Sequence, residues 1–385
     1  FDHKLLHLFI TIFEIILSFR NRENVDGLPG TIRPGRFGAC LEVLKRKYTN
    51  AGLKASKAST DIRIRCLRTH TWSEYAKAQV LAGLTEGSFA ATISEIMNKF
   101  AAEILYHGNV DKADVCTARE AITAVINKSG GAGLPKKKYP TELVTKLPLA
   151  AEPLLIVVPT KNPSEPNNSV EIYFQVGKDC IGDRVMTDLL THMMYEPFYD
   201  QVRTKDQFGY SVSCDSRWTN GIMGMYFCVV SSTKSVAQIT ARVDKFIREY
   251  REELLNMKDT DFIEHLVGLA KNKLDMFNSL SEECGCYWDE LVDGRLDFQV
   301  NRNEALALRS VTKDMALKSF DEWLSPSIDG KPKKRRSLIV QVIGTTEGET
   351  SSGRPGFDGE VEVCIEDTVA SFLKKVGNTT WGRVY

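Results

Sequence analysis

The sequence predicts an α+β fold, an antiparallel-rich sheet with helices packed on one face. Residues 208–214 alternate apolar and polar residues with period two, as half-buried strands do, and Ile222–Ser231 reads as a second strand after a turn holding Asn220-Gly221. Residues 181–198 instead repeat apolar side chains at helical spacing: Val185, Met186, Leu189, Leu190, Met193 and Phe198 form one stripe. Strands with helices layered on one side, repeated in outline on either side of a polar linker, give this class.

In chain order, the run 5–19 is apolar enough to pass for a signal or a membrane span. It is short for a span, contains Glu14 and is followed by no small-residue cleavage site, so residues 1–19 read as a buried helix. The polar stretch 20–26 and the Gly/Pro-rich loop 27–38 end it. Helical patterns follow at about 38–56, 59–69, 73–81 and 88–99, then a strand at 101–106, a turn at His107-Gly108-Asn109 and a helix at 111–127. Residues 131–149 collect glycine, proline and lysine and read as a linker. Beyond it come strands at 154–158 and 170–176, a long helix at 180–203, and strands at 207–214 and 222–231 around an Asn220-Gly221 turn. Helices at roughly 235–256, 259–278, 281–296 and 303–323, a strand at 337–343, a loop at 349–358 and a helix at 367–376 complete the pattern.

With 385 residues the chain has room for two ordinary domains. Fifty basic and fifty acidic residues cancel, so no overall field draws the chain to nucleic acid or to an anionic membrane, and neither is expected as a partner. Nine cysteines, an odd number without framework spacing, fit reduced thiols and a cytoplasmic setting. The basic run 331–336, KPKKRR, stands just before a strand and reads as a solvated entry loop rather than a nucleic-acid patch. The GLPGTIRPG segment lacks the spacing and the lysine of a phosphate loop.

One stretch stands out, Glu196-Pro-Phe-Tyr-Asp-Gln-Val-Arg-Thr-Lys-Asp-Gln-Phe-Gly-Tyr210. It resembles a segment in the C-terminal half of the insulysin/pitrilysin family of zinc metallopeptidases. The run AEILYHGNVDKADV, residues 102–115, is similar to the end of that family's third domain. The resemblance implies two homologous αβ domains of the LuxS/metallohydrolase-like type. Residues 1–130 would be the later part of domain three, 131–149 the linker and 150–385 domain four.

The family's zinc signature is H-x-x-E-H, two histidine ligands with a glutamate base beside the second. Of His3, His7, His70, His107, His192 and His265, only His3 and His7 are four apart, and Leu6 occupies the glutamate position between them. Glu264-His265 has Asp261 where the first histidine belongs, and Cys284-Gly-Cys286 has no second pair. No metal site is expected on this chain. The zinc cofactor implied by the resemblance would be bound by an N-terminal half.

On residue type alone, Arg203 reads as an arginine closing a helix and Tyr210 as a packed strand tyrosine. The resemblance assigns them more: a catalytic role, holding the substrate backbone and stabilising the oxyanion that forms when a peptide carbonyl is attacked. Tyr199 matches a position, usually phenylalanine, that lines the substrate pocket, while Lys205, Asp206, Gln207 and Gly209 read as supports for the loop. The implied partners are peptide substrates and the N-terminal half, and a homodimer is compatible with the resemblance. The alternative is a non-catalytic paralogue or the regulatory subunit of a two-chain peptidase.

Overall fold

A computed structural model describes residues 2–21, 35–96, 99–128, 132–133, 142–345, 360–377 and 379–382. Two compact units emerge, neither continuous in sequence. The first comprises Phe1–Asn50, Glu74–Thr141 and Ser279–Trp288; the second comprises Ala51–Ser73, Glu142–Asn278 and Asp289–Tyr385.

The second unit is built on a five-stranded sheet of β1 (Leu154–Pro159), β2 (Asn168–Lys178), β3 (Ser211–Thr219), β4 (Ile222–Ser231) and β5 (Ser337–Ile343), in the order β1-β5-β2-β4-β3. β5 runs parallel to β1 and all other neighbours are antiparallel, so the sheet is mixed but mainly antiparallel. The β3–β4 hairpin closes through Asn220 (φ 48°) and Gly221 (φ 76°). A tight primed turn requires two left-handed residues in this way, and Asn-Gly supplies them at least cost.

Phe174, Met225, Phe227 and Ile339 face the helices Ile181–Tyr199, Val236–Asn256 and Lys313–Trp323 in one core. Tyr173, Leu338, Val340 and Val342 face the opposite way, against the helices Ala55–Leu67 and Glu360–Val376. The α+β class therefore stands, with helices on both faces of the sheet rather than on the single face expected. Glu171 disguised the second face in the sequence. It looks solvent-facing, yet it is buried in a 2.5 Å ion pair with Arg63 of the Ala55–Leu67 helix and accepts a hydrogen bond from Thr60. A charge survives such burial when its partner is supplied in place.

Other elements differ in detail. The helix expected at 303–323 is broken into Val300–Ala307, a short 3-10 turn and Lys313–Trp323. Thr312 restarts it by accepting from the Met315 N–H, a side-chain cap in extended backbone. Leu143–Thr145, inside the span read as linker, pairs with Thr380–Gly382, and Val144 and Leu147 are fully buried. In the basic run 331–336, Lys331, Pro332 and Lys334 are exposed while Lys333 and Arg336 are half-buried. Arg335 is buried, donates to the Leu324 carbonyl and lies 5.0 Å over the Phe174 ring, and Arg336 lies 5.6 Å over Trp381.

The first unit is mainly helical in its described residues, with a two-residue parallel pairing of Lys99–Phe100 and Ala132–Gly133. Residues 101–106, expected as a strand, pair with no strand among the described residues and are irregular there. The Asp2–Asn21 helix is less covered than expected, with Leu8, Ile12 and Ile16 exposed, because a helix apolar all round needs neighbours on every side to be buried. No helix among the described residues is long and apolar enough to cross a membrane.

Candidate functional site

The Ile181–Tyr199 helix docks on the sheet through Val185, Leu189, Met193 and Phe198, all buried. At its end the backbone widens into a π-helical turn, Asp200–Lys205, a feature common at functional sites. The Asp206 N–H donates to the Gln201 carbonyl at 2.9 Å and the Phe208 N–H to the Val202 carbonyl at 2.9 Å. Between these bonds Gln207 sits at φ 53°, a left-handed residue reversing the chain as glycine usually does at helix ends.

Residues 207–210, expected as the start of a strand, lie outside the ladder, which begins at Ser211. Gly209 explains the offset. A Cβ there would fall 2.1 Å from the Val230 carbonyl oxygen, so the chain crosses β4 too closely for a side chain. Tyr210 is consequently not a packed strand residue. It projects at the mouth of the strand, 88% exposed.

This geometry brings Arg203, Tyr199 and Tyr210 together. Arg203 Nε donates to the Tyr210 carbonyl at 3.1 Å, and Nη1 donates to the Tyr199 hydroxyl. The guanidinium carbon lies 5.0 Å from the Tyr199 ring and 5.5 Å from the Tyr210 ring. Two aromatic faces thus hold one permanently charged fork, an arrangement that favours the cation and restricts its rotamers. These contacts use only part of the fork, and the Tyr210 phenol is a second donor beside it. Chemically, the pair can bind a carbonyl or carboxylate oxygen, more strongly as negative charge builds on it.

The loop is fastened from behind by Arg242 of the Val236–Asn256 helix. Its Nε meets Asp206 Oδ2 at 2.5 Å and its Nη2 donates to Gln201 Oε1 at 3.3 Å. The link from Arg242 to the loop carried no local signal, because its partners there, Asp206 and Gln201, are 36 and 41 residues away in sequence.

His7 is exposed, and the side chain of His3 lies outside the described residues. His192 and His265 meet edge to face, ring centroids 5.9 Å apart. Burial lowers the His192 pKa below its ordinary value and the neighbouring His265 adds to this, while Glu196 opposes it. Among the described residues no three His, Cys, Asp or Glu side chains form a group that could hold a metal ion, so they do not fit a zinc site.

Comparison with known proteins gives this site a context. The family profile "PQQ synthase PqqF-like, C-terminal lobe domain 4" matches residues 189–288, a span that includes the π-turn, the tyrosines and Arg242. A nardilysin-like protein of Arabidopsis thaliana is 29% identical over 338 residues, 87% of this chain and 32% of the relative. Human insulin-degrading enzyme is 25% identical over 313 residues, 80% of this chain and 30% of that protein. The crystal structure of pitrilysin superposes with a TM-score of 0.67 at 15% identity, covering 87% of this chain and 35% of that one, which is a likeness of fold. The chain thus spans about a third of the length of these relatives. Over most of its length the chain is similar to nardilysin and insulin-degrading enzymes, it shares its fold with pitrilysin, and the matched profile is that of a C-terminal lobe domain.

Proposed function

We propose that this chain is the zinc-free C-terminal half of an insulysin/pitrilysin-like metalloendopeptidase, closing over a peptide and presenting Arg203, Tyr210 and Tyr199 to it. The observation that carries the reading is the Arg203 guanidinium held between two tyrosines on an exposed loop. Structural arginines normally end in carboxylates, whereas the side-chain contacts of Arg203 given by the geometry are a carbonyl, a hydroxyl and two rings. Positive charge is thereby left for an incoming group.

In this reading Arg203 and the Tyr210 hydroxyl donate to the carbonyl oxygen of the bond being cleaved, where charge accumulates as the carbonyl becomes tetrahedral. Tyr199 lines the adjoining pocket and steadies Arg203. The catalytic zinc is assigned to the N-terminal half, since the described residues here do not fit one. The described cysteines are free thiols, which supports a cytoplasmic setting.

In the enzyme completed by its N-terminal half, Arg203→Ala and Tyr210→Phe are each expected to lower kcat/KM about 10²–10³-fold, the scale of one oxyanion donor. Zinc content should not change in either variant, and Tyr210→Phe should keep the parent melting temperature because that side chain is exposed. Unaltered turnover in both variants would remove the catalytic role and leave the non-catalytic paralogue or regulatory subunit as the reading.

A further inference from the structure

The Asp259–Leu274 helix is apolar on two sides. One side, with Phe262 and Leu269, is buried in the core. The other carries Ile263, Val267, Ala270 and Leu274 at spacings of four, three and four, a continuous stripe along a helix. Ile263, Val267 and Leu274 are 55–61% exposed, which a helix of a finished core would not normally afford. Beside it Leu306 of the Val300–Ala307 helix stands uncovered, and Leu308 and Val311 floor the space between. The result is an open apolar groove of about 940 Å³.

Its rim is charged one way. Lys271, Arg302 and Arg309 line the groove, exposed and without an ion pair among the described residues, and Asp275 is the one acidic residue lining it. A second copy of this chain laid face to face would set these cations against their own kind, which disfavours a symmetric dimer here.

We propose that this groove docks an amphipathic helical segment of another polypeptide, whose apolar ridge is flanked by carboxylates. The stripe spacing matches a helix laid along the groove, with the ridge filling the apolar floor. The basic rim selects acidic flanks and steers their approach. The site lies on different helices from the Arg203 loop and is independent of the catalytic reading.

The test uses the 385-residue chain and two synthetic helical peptides of about three heptads. Both carry Leu and Ile on the apolar ridge; one has Glu at every flanking position, the other Lys. Titration followed by fluorescence anisotropy should show the Glu peptide binding at least about tenfold more tightly than its Lys twin, with the gap narrowing in salt. Val267→Asp and Leu306→Asp should each weaken the Glu peptide about tenfold or more, and the double variant Arg302→Glu/Arg309→Glu should reverse the preference. These side chains are exposed, so circular dichroism and melting temperature should remain those of the parent. Equal binding of both peptides, binding of neither, or self-association of the chain that Val267→Asp abolishes would each overturn the proposal.

Discussion

Gly209 is the residue on which the Arg203 loop depends most directly. With the Val230 carbonyl oxygen 2.1 Å and its carbon 2.9 Å from where a Cβ would sit, the obstruction is backbone and cannot rotate away. Gly209→Ala is therefore expected to destabilise the chain by about 1–3 kcal/mol, the usual cost of overpacking. It should also pull Tyr210 away from Arg203. Thermal unfolding checks the first, and loss of the Arg203 Nε–H resonance position checks the second. An unchanged melting temperature would show that the crossing relaxes freely. Tyr199 works more gently. Tyr199→Phe keeps the ring under the guanidinium and removes only the hydroxyl acceptor, so Arg203 should stay near its place with wider rotamer sampling.

At the scale of elements, the helix bearing the site is anchored by buried charge. Arg184 joins Asp179 at 3.0 Å and Glu304 at 2.9 Å, and Lys273 joins Glu304 at 2.6 Å and Asp188 at 2.5 Å. Three helices, Ile181–Tyr199, Asp259–Leu274 and Val300–Ala307, meet through this chain of ions. Lys273→Met leaves Asp188 without its cation in a poorly solvated site, beside a Glu304 still held by Arg184, and should cost about 3 kcal/mol, measured by urea unfolding. The same interface holds His192. Its folded-state pKa lies below the ordinary value near 6.5, so the unfolded chain takes up the proton first as pH falls. Stability should therefore drop below about pH 6.5, until His192 also protonates in the folded state. In His192→Gln the slope of stability between pH 5 and 7 should flatten; an identical slope would place the titration elsewhere.

For the whole molecule, the balance of fifty basic and fifty acidic residues leaves no overall field, so the recognition proposed above is local, at the Arg203 loop and the basic-rimmed groove. Under the division of labour proposed above, this chain, about a third of the length of its relatives, should hydrolyse no peptide alone. Joined to an N-terminal half carrying H-x-x-E-H, it should support cleavage of a fluorogenic peptide. Cleavage by the isolated chain that a chelator abolishes would refute the division of labour.

Periodicity along the sequence determined the α+β class, the order of most helices and strands, and the Asn220-Gly221 hairpin, because these report burial and turn chemistry within a few residues. Tyr199 and Arg203 stood out only through the resemblance of the 196–210 stretch, since residue type alone reads Arg203 as an arginine closing a helix. Tertiary structure alone decided the rest. Glu171 turned inward only because Arg63, 108 residues earlier, waits on a second helical layer. The strand began at Ser211 rather than 207 only because the Val230 carbonyl lies against Gly209. Arg242 reached Asp206 only once the Val236–Asn256 helix had docked. In each case the partner is remote in sequence, and a local pattern carries no record of which remote group will satisfy a buried charge or fill the space behind a glycine.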